Sequence, residues 1–540
     1  MVKETLKKAA SGMGCKAFGA QEPGHNMQSG QLPGTAQRSR PPAQQFIQRF
    51  LKILWLSLAL FPIVAQAAPE VQKLYGEHCA ACHGADRLGG QGPALLPENL
   101  ERLRRPDAFK TIAEGRVATQ MAGFAGKLSK EQIQALVDYI YAPLPQAPVW
   151  GETEITASRI EYARPGSLPN KPVFNADPLN LFVVVEVGDH HATILDGDRL
   201  EPIHRFPTRY ALHGGPKFSP DGRYVYFASR DGWIAKFDIY NLKTVAEVRA
   251  GINTRNIAVS GDGKTVLVGN YLPHSVVLLD AQDLSLIKVI KAADADGKSS
   301  RVSAVYQAEP RGSFIAALKD VKEVWEISYR EPGFPVRRIA TDDYLDDFFF
   351  DQPYRHLIGA ARDGKKGQVI DLDSGQKVAE LALPGMPHLG SGITWEYRGR
   401  PVMATPNLKE GLVSVIDMES WQTIKQIKTQ GAGFFMRSHE NTPYAWVDAF
   451  NSANRDVMQV LDKRTLEIVR VLRPAPGKTA AHVEFTRDGK YALVSIWDMD
   501  GALVIYDAAT LEECKRLPMK KPSGKYNVYN KITRSAGTSH

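Results

Sequence analysis

Ser219-Pro220-Asp221-Gly222, running into Arg223-Tyr224-Val225-Tyr226-Phe227-Ala228, reads as a tight turn feeding an apolar strand. Pro presets the turn's backbone, Asp bonds back to it, and Gly supplies the left-handed residue that closes it. The pattern returns at Ser260-Gly261-Asp262-Gly263 and Thr486-Arg487-Asp488-Gly489, with turn-like relatives at Asn175 to Asn180 and Glu440-Asn441-Thr442-Pro443. Its weakest copies are Glu309-Pro310-Arg311-Gly312, Asp351-Gln352-Pro353-Tyr354 and Glu396-Tyr397-Arg398-Gly399. The spacing, roughly 41 to 49 residues, is what one four-stranded propeller blade needs. Most copies lead into an apolar strand, a hairpin and an Asp-containing strand such as Val276-Val277-Leu278-Leu279-Asp280 or Leu503-Val504-Ile505-Tyr506-Asp507. Eight units predict an eight-bladed β-propeller over residues 166–530, with seven blades as the fallback.

Upstream the texture is helical. Val71, Leu74 and Tyr75 have helical spacing, and Ser129 with Gln132 forms a capping box before Ile133, Leu136, Val137, Ile140 and Tyr141. Between these helices lies Cys79-Ala80-Ala81-Cys82-His83. That spacing places two thiols for thioether bonds to a haem and aims the next imidazole at its iron. A redox or zinc Cys-x-x-Cys is the competing reading. The order helix, haem motif, helix is that of a class I-like cytochrome c domain, assigned to residues 68–142. Met121, the methionine that follows His83 before Met386, is the candidate second iron ligand, against a role as core filler. His78 is expected to be a solvent-facing neighbour. Pro143, Pro145 and Pro148 open a stiff linker and arm over 143–165. The fold class is therefore mainly β with a small all-α domain.

Arg49 and Lys52 precede an apolar run from Ile53 to Val64 and the small-residue pattern Ala65-Gln66-Ala67. This reads as a signal peptide over 45–67, which implies export to the periplasm, with an uncleaved anchor as the alternative. Residues 1–44, rich in Gly, Gln, Pro and Ser, are expected to be a disordered extension, and Met27 offers a second start; 531–540 are expected to be a tail. Residues 1–67 hold eight Lys/Arg and two Asp/Glu, so removing that +6 from the net +8 leaves +2 on the exported chain. So small a bias argues for neither nucleic acid nor anionic lipid. Of the four cysteines, Cys514 is left alone in a strand-like stretch and is expected to be a buried small hydrophobe.

Across residues 70–530 the chain resembles cytochrome cd1 and its relatives, in which a haem c domain precedes an eight-bladed propeller that holds haem d1. Arg209-Tyr210-Ala211-Leu212-His213 is similar to the segment carrying the proximal d1 ligand, which makes His213 the candidate. Ser229-Arg230-Asp231-Gly232, Thr254-Arg255-Asn256 and Gly269-Asn270-Tyr271 resemble segments lining the d1 pocket. The resemblance implies that Arg230 and Arg255 hold d1 carboxylates, for which a bidentate guanidinium is suited; either could instead be a blade-edge ion-pair partner. Asn270 and Tyr271 are implied as cofactor contacts, and Tyr162 as a linker tyrosine reaching over the pocket.

Nitrite reductases of this family keep two histidines over the d1 iron. One is matched by His388 in Met386-Pro387-His388-Leu389-Gly390, whereas the run Asp343 to Phe349 puts Asp346 at the other position. A carboxylate is no substitute for a histidine proton donor at neutral pH. The departure implies the dihydro-haem d1 dehydrogenase branch, whose members oxidise a d1 propionate to acrylate and pass electrons to covalent haem c. His388 is then the distal iron ligand and His482, in Ala480-Ala481-His482-Val483-Glu484, the base; a structural histidine at a blade edge is the competing reading of His482. The implied partners are dihydro-haem d1, a periplasmic electron acceptor and a cytochrome cd1 nitrite reductase as recipient of haem d1. A nitrite reductase with an unusual pocket, a d1 carrier, and an electron-transfer cytochrome whose propeller docks a partner remain open. His190-His191 is placed in a hairpin turn, and His204, His274, His356 and His439 lack a constellation.

Overall fold

The computed structural model describes residues 61–101, 103–115, 121–212, 214–361 and 366–533. Residues 1–60, His213 and most of the C-terminal tail lie outside that set, and with them the extension and nearly all of the signal segment. Residues from Ala67 onward form one compact unit. Among the described residues no helix is long and apolar enough to cross a membrane.

Eight antiparallel sheets follow one another along the chain. The innermost strands are Lys217–Phe218, Asn253–Val259, Val302–Ala308, Leu345–Phe350, Ile393–Tyr397, Met436–Ser438, Ala480–Phe485 and, last, Pro522–Asn527. Pro522–Asn527 pairs with Leu181–Glu186, so the final strand completes the first blade and closes the ring. Eight blades, not seven, are present. The arm adds a fifth strand, Ile160–Glu161, to the outer edge of the second blade, with Ile160 opposite Glu247.

The turns explain the repeat. In Ser219 to Arg223, Asp221 Oδ1 accepts from the Ser219 hydroxyl (2.5 Å) and the Arg223 amide (3.1 Å), and Gly222 has φ +73°. Asp262 and Asp488 do the same at their turns. Such Asx turns close the first hairpins of the second, third and eighth blades through bonds local in sequence. Between the sheets lie apolar interfaces: Tyr226 and Val248 meet Val266 and Leu279, and the Trp446 ring packs, tilted, 5.5 Å from Tyr506 of the next blade. Cys514, by contrast, is exposed on Glu513–Met519, the outermost strand of the eighth blade. The expected strand is present, but the expected burial of Cys514 is not, because one side of an outermost strand faces solvent.

The helical domain is built from Phe61–His78, Ala80–His83, Pro97–Leu100, Arg105–Glu114 and Lys130–Tyr141. The capping box is present: Ser129 Oγ accepts from the Gln132 amide (3.2 Å) and Gln132 Oε1 from the Ser129 amide (2.8 Å). Tyr75, Leu100, Ile112, Leu136 and Val137 form its core. A second small apolar cluster joins Ala94, Leu96 and Leu88 of this domain to Ile252 and Leu272 of the propeller. Arg249 secures the contact, stacking on Trp150 at 4.5 Å and donating to the carbonyls of Leu88 and Asp231.

Candidate functional site

In the helical domain Cys79 and Cys82 are free thiols bracketing one turn, and His83 is buried below them. His83 Nδ1 donates to the Pro93 carbonyl (2.8 Å), which leaves Nε2 as the coordinating atom. A Cβ on Gly92 would lie 2.7 Å from His83 Cε1, so only glycine lets this loop pass under the imidazole. Met121 packs, partly buried, at the edge of the same core. These residues fit a covalent haem c. His78 is not simply solvent-facing; its ring meets Phe124 edge-on at 5.9 Å.

The propeller axis holds a cavity of about 610 Å3 to which all eight blades contribute, a size suited to a large ligand. Many of its polar groups are delivered by one device. Arg255, Ser303, His482 and Ser523 are each the extra residue of a β-bulge in an innermost strand, and each lines the cavity. An extra residue turns away from the interblade packing its neighbours follow. His482 also has φ +51°, a left-handed conformation a histidine rarely adopts.

His482 is buried between Phe435 (4.9 Å) and Tyr526 (5.1 Å). Its carbonyl accepts from Lys525 Nζ, while its Nδ1 has no hydrogen-bond partner among the described residues. Burial, followed by the charges of Lys525, Arg437 and Lys531, pushes the imidazole well below its ordinary value and so holds it neutral. His388 donates from Nδ1 to the Phe434 carbonyl (2.6 Å), and its ring lies 4.1 Å from that of Phe434. This leaves His388 Nε2 free for a metal. Asp448 accepts from the amides of Phe434 (2.7 Å), Phe435 and His482, so one buried carboxylate anchors the backbone under both histidines.

His213 lies outside the described residues; its neighbours Leu212 and Gly214 line the cavity. That segment leads into the second blade and His388 into the sixth, so the two stand opposite across the ring. His482 belongs to the eighth blade, a quarter-turn from both.

The floor is cationic. Lys217, Arg437 and Lys531 line it, with Tyr526 beside them. Arg437 is 4% exposed, and its Nε and Nη1 have no partner among the described residues; its Nη2 stands 3.8 Å from Glu484 Oε2. Unmet buried guanidinium donors facing a cavity are suited to a ligand carboxylate. Burial lowers Lys217 to about 8 and drives Lys531 well below its ordinary value.

The remaining sequence candidates lie elsewhere. Arg230, exchanging backbone hydrogen bonds with Ala211 and Thr254, is outside the cavity lining, unlike Arg255. Asn270 is fully buried within its blade, tied to Thr254, the Ala250 carbonyl and Ser275. Tyr271 lies beneath Arg301 and Lys319. Tyr162, 55% exposed, donates to Glu247 (2.9 Å), which also holds Arg209 against Trp233. The run 343–349 presents Asp347, not Asp346, to the cavity. Asp346 is the bulged residue there and pairs with Lys319. Sequence reasoning missed Asp347, Tyr306, Arg437, Tyr526 and the Phe434-Phe435 wall, because none belongs to a contiguous motif.

Comparison with known proteins places this geometry. Residues 176–531 match the cytochrome D1 heme domain family, and residues 66–140 match cytochrome C oxidase, cbb3-type, subunit III. A dihydro-heme d1 dehydrogenase of Pseudomonas aeruginosa is 61% identical over 494 residues, covering 91% of this chain and all of that protein. A nitrite reductase of Stutzerimonas stutzeri is 26% identical, covering 88% of this chain and 97% of that protein. A solved structure of dihydro-heme d1 dehydrogenase in complex with DHE is similar with a TM-score of 0.83 and 62% identity, covering 85% of this chain and 99% of that one. The chain belongs to the cytochrome D1 haem domain family, with a cytochrome c domain at its N-terminal side.

Proposed function

We propose that the chain is a dihydro-haem d1 dehydrogenase that carries out the last step of haem d1 assembly in the periplasm. The substrate side chain –CH2–CH2–COO⁻ becomes –CH=CH–COO⁻, with loss of two protons and two electrons. His213 and His388 would hold the substrate iron from its two faces, the segment that flanks His213 leading into the second blade and His388 into the sixth. A tetrapyrrole so held turns its edge toward the eighth blade. His482 therefore meets a peripheral side chain rather than the metal, and this placement is the observation that carries the reading.

As the carbon–carbon double bond forms, the neutral His482 takes one of the two protons from the propionate chain and solvent takes the other, while Lys525, Arg437 and Lys531 keep the imidazole from being protonated beforehand. Arg437 and Arg255 bind substrate carboxylates, while Phe434 and Phe435 exclude water beside the histidines. Cys79, Cys82, His83 and Met121 would hold a covalent haem c, which would supply a one-electron acceptor. Tyr162 ties the arm to the second blade through Glu247. The electrons leave to a periplasmic acceptor and the product passes to a cytochrome cd1 nitrite reductase.

The deciding experiment is anaerobic mixing of the oxidised protein with dihydro-haem d1. Haem c reduction together with a product two hydrogens lighter is the expected result. Binding with neither change would refute the dehydrogenase and leave a carrier or a reductase, which added nitrite and an electron donor would separate.

A further inference from the structure

The cavity presents cations at its floor and on the third blade, yet one carboxylate is built into the wall beside His388. Asp347 Oδ2 accepts from the Gly390 amide (2.8 Å) and lies 4.0 Å from His388 Nε2. Its Oδ1 accepts from the Tyr306 hydroxyl (3.0 Å) and the Phe348 amide (2.9 Å). A Cβ on Gly390 would collide with Asp347 Oδ2 and crowd the Tyr306 hydroxyl, so the opposing loop is glycine where the carboxylate needs space. Donors from three segments thus fix a negative charge at the face where His388 meets the bound ligand.

Small anions entering the cavity are drawn by Lys217, Arg255, Arg437 and Lys531, and meet repulsion at Asp347. We infer that Asp347 is a specificity-determining residue that denies the His388 face of the bound tetrapyrrole to small anions such as nitrite and azide, while the cationic floor takes the ligand's carboxylates. The inference rests on the reading that His388 faces the substrate iron. Unit charges about 5 Å apart at an effective dielectric near 20 repel by about 3 kcal/mol, enough to weaken anion binding by roughly two orders of magnitude.

The test opens the coordination position first. His388→Ala and His388→Ala/Asp347→Asn are each loaded with haem d1, and the ferric forms are titrated with azide and the ferrous forms with carbon monoxide, following the visible spectrum. Asp347→Asn should tighten azide binding roughly a hundredfold by the same Coulomb argument and leave neutral carbon monoxide within twofold. Unchanged azide affinity, or azide and carbon monoxide moving together, would overturn the inference. Should the double variant fail to load, His388→Gly/Asp347→Asn against His388→Gly gives the same comparison. An unaltered chain that takes up no tetrapyrrole would defeat the assignment of the cavity and this inference with it; normal loading with equal azide affinities defeats only the role of Asp347.

Discussion

Replacing Arg437 by leucine should move stability and ligand affinity in opposite directions. In the unloaded chain the guanidinium is buried with Nε and Nη1 unpartnered among the described residues, and Glu484 is 3.8 Å away. Each unmet buried donor costs about 1–3 kcal/mol, and exchanging a poorly paired buried charge for an apolar side chain commonly stabilises by about 1–4 kcal/mol. Glu484 would lose one cation but keep Lys531 at 3.9 Å, and its Oε1 would still accept from Asn530 and the Phe485 amide. A net gain of about 1–2 kcal/mol in the unloaded protein is the balance. If Arg437 holds a substrate carboxylate, the same change removes a charge-assisted hydrogen bond worth about 1.5–3 kcal/mol, or roughly ten- to a hundredfold in affinity. Thermal unfolding of the protein carrying haem c alone gives the first quantity, and equilibrium titration with haem d1 gives the second. Lower stability with unchanged haem d1 affinity would refute the reasoning and make Arg437 a structural partner of Glu484. Arg437→Lys keeps the charge but not the fork, and should recover only part of the affinity.

His482→Gln should bind dihydro-haem d1 normally and lose about two to four orders of magnitude in its oxidation, as measured by the rate of haem c reduction; a rate within a few-fold of the unaltered chain would place the base elsewhere. Acidification should destabilise the fold through His482. Its folded-state value lies far below the unfolded value near 6.5, so the unfolded chain binds the proton first and stability falls as the pH drops through 6.5. Asp448 works in the other direction, because burial raises it to about 6 from 3.8, and its contribution grows as the pH falls through 6. Asp448→Asn should therefore lose stability more steeply between pH 6 and 4, by up to about 3 kcal/mol, in unfolding midpoints measured across that range. Arg249→Ala should expose the linker at 143–149 to proteolysis at least about tenfold faster, since local opening tracks the contacts that hold a segment down, while haem d1 affinity is retained; unchanged cleavage would mean that the apolar contact of Leu88 and Leu96 with Ile252 suffices alone.

The propeller was legible because each blade closes its turns locally. A second marker, passed over in the sequence, is sharper than the Ser-x-Asp-Gly turn. Asp196, Asp238, Asp280, Asp417, Asp462 and Asp507 each end a strand, and the fourth residue on, Leu200, Leu242, Leu284, Trp421, Leu466 or Leu511, has positive φ. Asp371 is followed in the same way by Gly375, the residue type that adopts this conformation freely. These aspartates accept from the amides of the turn that follows, as Asp462 does from Arg464 (2.7 Å) and Asp507 from Thr510 (2.8 Å). The fourth blade lacks the device, its strand ending at Ser328 before Phe334 with φ +55°. The haem c motif was legible because its parts are contiguous. Arg437 and Asp347 were not, since nothing near them in the chain shows that seven other blades face the same space.

The difference between Asp346 and Asp347 shows what decides such a position. An innermost strand sends alternate side chains into the interfaces on its two sides: Val483 and Phe485 pack toward the seventh blade, and Glu484 between them turns to Asn530 beside the first. Strict alternation offers the axis little. The bulges at Arg255, Ser303, His482 and Ser523 each release one residue toward it. In the fifth blade the bulge falls on Asp346, but Lys319 of the preceding blade captures that carboxylate, and the ordinary strand residue Asp347 is drawn to the axis by Tyr306 and Gly390. Alignment counts positions, whereas the cavity takes whichever carboxylate its neighbours leave unclaimed. Neutralising Lys319 should therefore act on the cavity at second hand, by freeing Asp346 to compete for the face of His388 that Asp347 now occupies.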